Sequence, residues 1–542
     1  MYAEIFYGRD RHNRRKIIPA KNNNSRRARR NSSDSGEKME ATKLICNKDF
    51  TVGNVDPRIF GSFIEHMGRV IYSGIYEPGH PLSDEDGFRT DVLQLIREMG
   101  VTAVRYPGGN FVSNYDWRDG VGPVEMRPRR LNLPWRSVET NEFGINEFMK
   151  WSRKANVIPI FAVNLGTKGI ENAAEFLEYC NHKEGTFYSD LRKKDGAEKP
   201  YQIHTWCLGN EMDGDWQIGH KTAQEYGRLA QETAKVMKMV DDSIELVSCG
   251  SSKSSMETFP DWEETTLNYT YDYVDYIAVH QYYGGQEQGT PEFLAQSLNM
   301  EYYIHTIIAA CDVVKARKRS EKTLNISVDE WGVWELPSEE VDSQLNNNPW
   351  QKSPAISEQI YTMEDALLFA SMMMAFLKNA DRVKIACQSL IANISACIMV
   401  EKDGSAWVQP IYYPFAHMAR FGRGEVLLTR QSGPSYQCTK FGKVPYIDSV
   451  AVYRKDTSEI TLFLVNRCQA KTQTFCCDLQ GFQLNDVIEH IQMFNQNKKA
   501  NNLKNHKCVQ PTHNGNARIH NGLLQAELQP LSWNVIRIRV NH

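Results

Sequence analysis

From Phe60 to about Asn393 the chain alternates short apolar runs, rich in β-branched and aromatic residues, with longer stretches in which apolar positions recur at helical spacing. The short runs lie at 59–64, 101–106, 157–163, 203–208, 244–249, 274–279, 324–328 and 382–387. Near-continuous apolar runs of this length suit strands buried on both faces. The helical stretches between them, at 91–99, 173–180, 222–239, 291–317 and 365–378, suit crossovers in a parallel sheet. Eight such repeats predict an α/β fold in which the sheet closes as a (β/α)8 TIM barrel over residues 55–423. After Gly424 the period shortens to alternation, as at 449–453, 460–465 and 533–540, and long helical stretches stop, which predicts a C-terminal β-sandwich over 424–542. Residues 39–54 read as a strand contributing to that sandwich. Residues 1–38 hold Arg- and Asn-rich polar sequence with few apolar anchors and read as a disordered leader or a misassigned start.

Charge and composition remove several function classes. The net charge of the chain is -3, but residues 1–38 hold 11 basic and 4 acidic side chains, so the remainder carries -10. An acidic body offers no basic footprint for nucleic acid. The longest apolar run, 369–377, is far short of the roughly 20 residues a membrane span needs, and no apolar segment of the signal-peptide kind opens the chain. No membrane partner is expected. The 12 cysteines include no CxxC pair and read as buried free thiols, in keeping with a reducing cytoplasm.

Phosphate-binding, dinucleotide, zinc-protease and serine-hydrolase motifs are all missing, which leaves carboxylates as the candidate chemistry. Polar residues recur at the carboxyl ends of the predicted strands, and in a barrel those ends converge on one face. Glu211 and Glu330 end the fourth and seventh strands. Retaining glycoside hydrolysis needs one carboxylic acid to protonate the leaving oxygen and one carboxylate to attack the anomeric carbon, so two glutamates across a barrel mouth suit it. A single strand-end glutamate is more often a salt-bridge partner. Neighbouring Glu65, Asn110, Asn210 and Tyr282, with Trp117, Trp206, Trp216, Trp331, Trp334 and Tyr283, add the hydrogen-bonding groups and flat apolar faces that sugars require, although most of the aromatics are expected in the core.

The segments FGSFIEHMGR at 60–69, RYPGGNF at 105–111, WCLGNEMDG at 206–214, HQYYG at 280–284, DEW at 329–331 and WVQPIYYPF at 407–415 together resemble the α-L-arabinofuranosidases of glycoside hydrolase family 51. The likeness runs from about Met39 to the C-terminus. It implies a metal-free, cofactor-free retaining enzyme inside the cell, often a hexamer, that releases terminal arabinofuranosyl units from arabinan- or arabinoxylan-derived oligosaccharides. Position by position, it implies that Glu211 is the general acid/base and Glu330 the nucleophile. Glu65, Asn110, Asn210 and Tyr282 would hold the sugar or position the nucleophile, with Arg105 a supporting cation. One departure stands out: where the family pattern carries a sugar-contacting glutamine three residues before Asn393, this chain has Leu390. Gln388, two residues earlier, is expected on the same strand face and is a candidate substitute. A related barrel β-xylosidase or β-glucanase, and a catalytically silent carbohydrate-binding homologue, are the alternatives left open.

Overall fold

The computed structural model describes residues 41–541, so the leader at 1–38 lies outside the described residues. Eight parallel strands form a closed barrel in the order Gly61–Phe63, Ala103–Tyr106, Ile158–Val163, Thr205–Leu208, Glu245–Ser248, Tyr276–Tyr283, Asn325–Val333 and Val383–Gln388, the last pairing with the first. All eight lie where the apolar runs predict them. Their side chains are almost entirely buried because the barrel interior takes one face and the ring of helices the other. The sixth and seventh strands run past their expected ends and stay paired, His280 opposite Glu330 and Tyr282 opposite Gly332, so these groups are held by sheet rather than by loops.

The helices differ more from expectation. The stretch expected at 291–317 is two helices, Thr290–Leu294 and Ser297–Lys318. The break falls where Gln296 turns its side-chain amide onto the Gly284 carbonyl (2.8 Å). Helices at Ile145–Ala155, Phe187–Lys194, Asp261–Thr270, Ser338–Asn347 and Tyr412–Phe421 carry no expectation from the sequence. No helix among the described residues is long and apolar enough to cross a membrane.

The C-terminal module is a nine-stranded, mostly antiparallel sheet whose inward faces share a core of Leu44, Leu427, Leu462, Phe475, Leu524 and Ile536 among others. Its two expected layers are halves of one continuous sheet. The strand Thr42–Asn54 sits inside that sheet, antiparallel to Glu425–Ser432 and parallel to Gln473–Gln480. Strands Ile447–Arg454, Glu459–Asn466 and Ser532–Asn541 also bury their outer face, where Val450, Val452, Phe463, Val465, Trp533 and Val535 join the barrel's core. All 12 cysteines are free. Ten are buried, but Cys476 is half-buried on the outer sheet face and Cys508 is exposed in a loop, so those two depart from the expected burial.

Candidate active site

At the carboxyl end of the barrel a pocket is lined by Glu65, Asn110, Trp135, Glu211, Tyr282, Glu330, Trp334, Ser389 and Leu390, with Phe63, Met67 and Gly109 completing it. Of the seven residues singled out from sequence, five face the pocket. The other two, Arg105 and Asn210, adjoin it without being among its lining residues, Arg105 bonding both Glu330 and Asn210.

The fourth strand ends at Leu208, and the chain turns through Gly209, whose φ of 92° is a left-handed conformation open to glycine. Glu211 itself has φ 47°, an uncommon value for a residue with a side chain, and this presents its carboxylate to the pocket. Its Oε2 accepts from the Trp216 indole N–H (2.8 Å) and its Oε1 lies 3.0 Å from His280 Nδ1. Glu330 is held from two sides: Arg105 Nη1 donates to Oε1 (2.9 Å) and the Tyr282 hydroxyl donates to Oε2 (2.9 Å). The Tyr282 oxygen in turn lies 2.8 Å from Ser389 Oγ, which can donate to it.

Arg105 is fully buried on the second strand and organises several groups at once. Its Nη2 donates to Asn210 Oδ1 (2.7 Å), and its Nε lies 3.7 Å from an Asp329 oxygen. A buried guanidinium needs such partners, and the carboxylates of Glu330 and Asp329 beside it need a cation. Burial, reinforced by Glu211, pushes the pKa of Glu330 above the usual carboxylate range, with His280 and Arg105 pulling the other way. Burial opposes a charge on His280, yet the adjoining Glu330 and Glu211 outweigh it and raise the imidazole's pKa. Glu65, fully buried and near Glu330, is pushed up to about 8. Its Oε1 accepts from the Phe111 backbone N–H (2.7 Å) and the Trp135 indole (2.8 Å). Gly109 presses against the other oxygen so closely that a Cβ there would come within 2.3 Å.

One oxygen of Glu211, one of Glu330 and a ring nitrogen of His280 lie within 4.8 Å of one another. These are donor types a metal ion accepts. All four carboxylate oxygens, however, already face protein partners, and the Arg105 cation adjoins them, so the trio is poorly suited to a second cation.

Three residues of the site escape sequence reasoning. His280 stood in a noted strand-end segment without a role. Trp135 follows a short hairpin strand, Arg130–Asn132, and carries no strand-end signal. Ser389 lies just past the eighth strand. Among the aromatic candidates, Trp334 lines the pocket and Trp216 bonds Glu211, while Trp117, Trp206 and Trp331 are packed in the core. The expected substitution by Gln388 fails. Its amide donates to the Ser395 carbonyl (2.7 Å), and it is fully buried away from the pocket. The strand ends at Gln388, so the two-residue repeat that would have aligned it with Leu390 no longer applies.

A closed barrel holding two neighbouring glutamates over a small polar pocket at its carboxyl face defines a glycoside hydrolase. Residues 95–291 match the family described as the alpha-L-arabinofuranosidase 1 domain, and residues 329–532 the alpha-L-arabinofuranosidase C-terminal domain. The chain belongs to the α-L-arabinofuranosidases of glycoside hydrolase family 51. It is 53% identical over 501 residues to the intracellular exo-α-(1→5)-L-arabinofuranosidase 1 of Bacillus subtilis, covering 92% of this chain and 99% of that protein. It is 50% identical over 501 residues to the protein of the same activity name from Acetivibrio thermocellus, covering 92% and 100%. The structure of a family 51 α-L-arabinofuranosidase from Bifidobacterium longum superposes with a TM-score of 0.88 at 40% identity, over 93% of this chain and 100% of that one.

Proposed function

We propose that this enzyme releases terminal non-reducing α-L-arabinofuranosyl units from arabinan- or arabinoxylan-derived oligosaccharides by double displacement, with Glu330 as nucleophile and Glu211 as general acid/base. The observation that carries the mechanism is the separation of the two carboxylates, which have oxygens within 4.8 Å of each other. Retaining enzymes keep their carboxyl groups about 5 to 5.5 Å apart, whereas inverting ones leave roughly 6.5 to 9.5 Å for a water molecule. In the first step Glu330 attacks the anomeric carbon while Glu211 protonates the departing oxygen, giving a covalent arabinosyl ester. In the second Glu211 takes a proton from water, which displaces Glu330 and frees arabinose with its anomeric configuration retained.

Arg105 and Tyr282 favour this order by donating to Glu330, which keeps its lone pairs aimed and its charge on. Glu65, Asn110, Asn210 and Tyr282 are assigned to the glycone and its reacting neighbours. Two buried atoms, Asn110 Oδ1 and Asn210 Nδ2, have no hydrogen-bond partner among the described residues and are suited to sugar hydroxyls. The α-(1→5) linkage and the intracellular setting follow the names of the relatives. Assembly as a homo-oligomer, hexamer included, is proposed from the family resemblance. The exposed Met126, Leu131 and Trp350 offer apolar contact surface, and light scattering on the purified protein tests it.

The deciding experiment compares initial rates on 4-nitrophenyl α-L-arabinofuranoside, β-D-xylopyranoside and β-D-glucopyranoside. The arabinofuranoside should be preferred, and the activity should vanish in Glu330→Ala. In Glu211→Ala the loss should be smallest for the most acidic phenol leaving groups, which need least protonation. Full activity of a folded Glu330→Ala protein would sink the assignment.

A further inference from the structure

Glu65 is held by two donors that come from different loops: the Phe111 backbone N–H and the Trp135 indole. Both loops are tied to one buried residue, the neighbour of Glu65 in the chain: one through its ring, the other through its backbone carbonyl. The His66 ring stacks on the Phe111 ring at 4.5 Å and 24°. The His66 carbonyl accepts from Asn132 Nδ2 (2.6 Å), and Asn132 Oδ1 accepts from the Trp135 backbone N–H (3.4 Å). His66 therefore reaches both arms that grip Glu65, although its own side chain faces away from the pocket.

What fixes His66 is a buried ion-pairing and hydrogen-bonding group. Glu139 Oε2 lies 2.8 Å from His66 Nδ1, and the Tyr106 hydroxyl lies 3.0 Å from Nε2. Glu139 Oε1 accepts from the Tyr72 hydroxyl and from the Asn141 backbone N–H. The Tyr72 oxygen accepts in turn from the Phe143 N–H (3.3 Å). Burial opposes ionisation of Glu139, yet His66 and these donors outweigh it and hold its pKa below the ordinary value. A fully satisfied buried network of this kind fixes one geometry rather than many.

We infer that His66 and Glu139 are positioning residues for glycone recognition, acting through Glu65 by locking the Phe111 and Trp135 arms in place. The inference rests on the reading of Glu65 as a glycone contact. Neither residue touches the pocket, so their contribution should exist only while Glu65 is there to be aimed.

A double-mutant cycle on 4-nitrophenyl α-L-arabinofuranoside tests this, with kcat and KM measured for Glu65→Ala, Glu139→Ala and the pair, and melting curves recorded for each. Glu139→Ala should lower kcat/KM on the order of 10- to 100-fold, the scale of a misplacement near 1 Å. In the Glu65→Ala background the same change should cost less than about twofold, because coupled residues are not additive. Glu139→Gln, whose amide oxygen can still accept from Tyr72 and Asn141, should recover most of the activity. If Glu139→Ala does not fold, His66→Phe takes its place in the cycle, since it keeps the stack on Phe111 and removes both ring-nitrogen contacts. Losses that multiply across the cycle, or wild-type kcat/KM in a folded Glu139→Ala protein, overturn the proposal. Wild-type kcat/KM in Glu65→Ala overturns the reading of Glu65 itself.

Discussion

Replacing Arg105 by Met tests the electrostatic account of the site most directly. The substitution preserves length and apolar bulk but deletes the donor to Glu330, the donor to Asn210 and the guanidinium beside Asp329. Removing one partner of a buried charge pair costs about 3 to 5 kcal/mol, much of it the penalty of a charge left alone. Glu330 can escape part of that penalty by staying protonated. Its pKa is already raised by burial and by Glu211, and Arg105, with His280, is among the groups holding it down. If about 1.4 kcal/mol of the penalty is relieved this way, the pKa climbs by roughly one further unit. Because attack requires ionised Glu330, activity is lost as pH falls through that pKa, so a higher pKa moves the acidic limb of the kcat/KM profile toward neutrality. The assay is the pH dependence of kcat/KM on 4-nitrophenyl α-L-arabinofuranoside, with thermal melting to confirm folding. An acidic limb that stays in place in a folded Arg105→Met enzyme, with kcat/KM within about threefold of wild type at neutral pH, would refute the reasoning.

Leu390→Gln places an amide on the pocket wall where Gln388 cannot reach. One added hydrogen bond to a sugar hydroxyl, worth about 0.5 to 1.5 kcal/mol, should raise kcat/KM for the arabinofuranoside roughly 2- to 13-fold, and an unchanged value would show that Leu390 costs nothing. Gly109→Ala should displace Glu65, because the new Cβ would lie 2.3 Å from a Glu65 oxygen. KM should rise while the melting temperature shifts only modestly, and unaltered kinetics would contradict the tight fit. Glu263 is fully buried, with its pKa pushed up to about 7 by burial and one oxygen unpartnered. Its folded pKa exceeds its unfolded one, so stability is present below about pH 4.5 and is lost as pH rises toward 7. Glu263→Gln should remove that loss, gaining up to about 3 kcal/mol at pH 8 relative to pH 4.5, as read from denaturant unfolding at both pH values.

The barrel strands were legible because burial on both faces leaves uninterrupted apolar runs, and a run such as 158–163 has few other readings. Helices are harder to read where tertiary contact rather than periodicity supports them. Phe187–Lys194 is mostly polar, and its start depends on a capping box between Thr186 and Ser189. The two glutamates proposed as catalytic stood out because they end strands within motif-bearing segments. Trp135 did not, since only the folded hairpin brings it to Glu65, and His280 shows its importance only when it is seen between two carboxylates. Gln388 marks the limit of a periodicity argument. Alternation predicts a shared face only while the chain stays a strand, and here the strand stops at Gln388 and Ser395 captures its side chain.

The strand Thr42–Asn54 lies inside the C-terminal sheet, yet the ribosome makes it about 370 residues before its first partner, Glu425–Ser432. At ordinary rates of synthesis that interval is on the order of tens of seconds. Throughout it an alternating apolar segment has both edges open, in a chain whose barrel is otherwise being completed. Until residues 473–480 emerge, this strand is a template for the wrong neighbour, including the same strand on another nascent chain. The sheet thus sets the order of events: the barrel can close on its own strands, but the segment that precedes it must wait for the C-terminal module to find its place. A protein shortened before residue 425 would keep every proposed catalytic side chain and still carry a permanently unpaired edge.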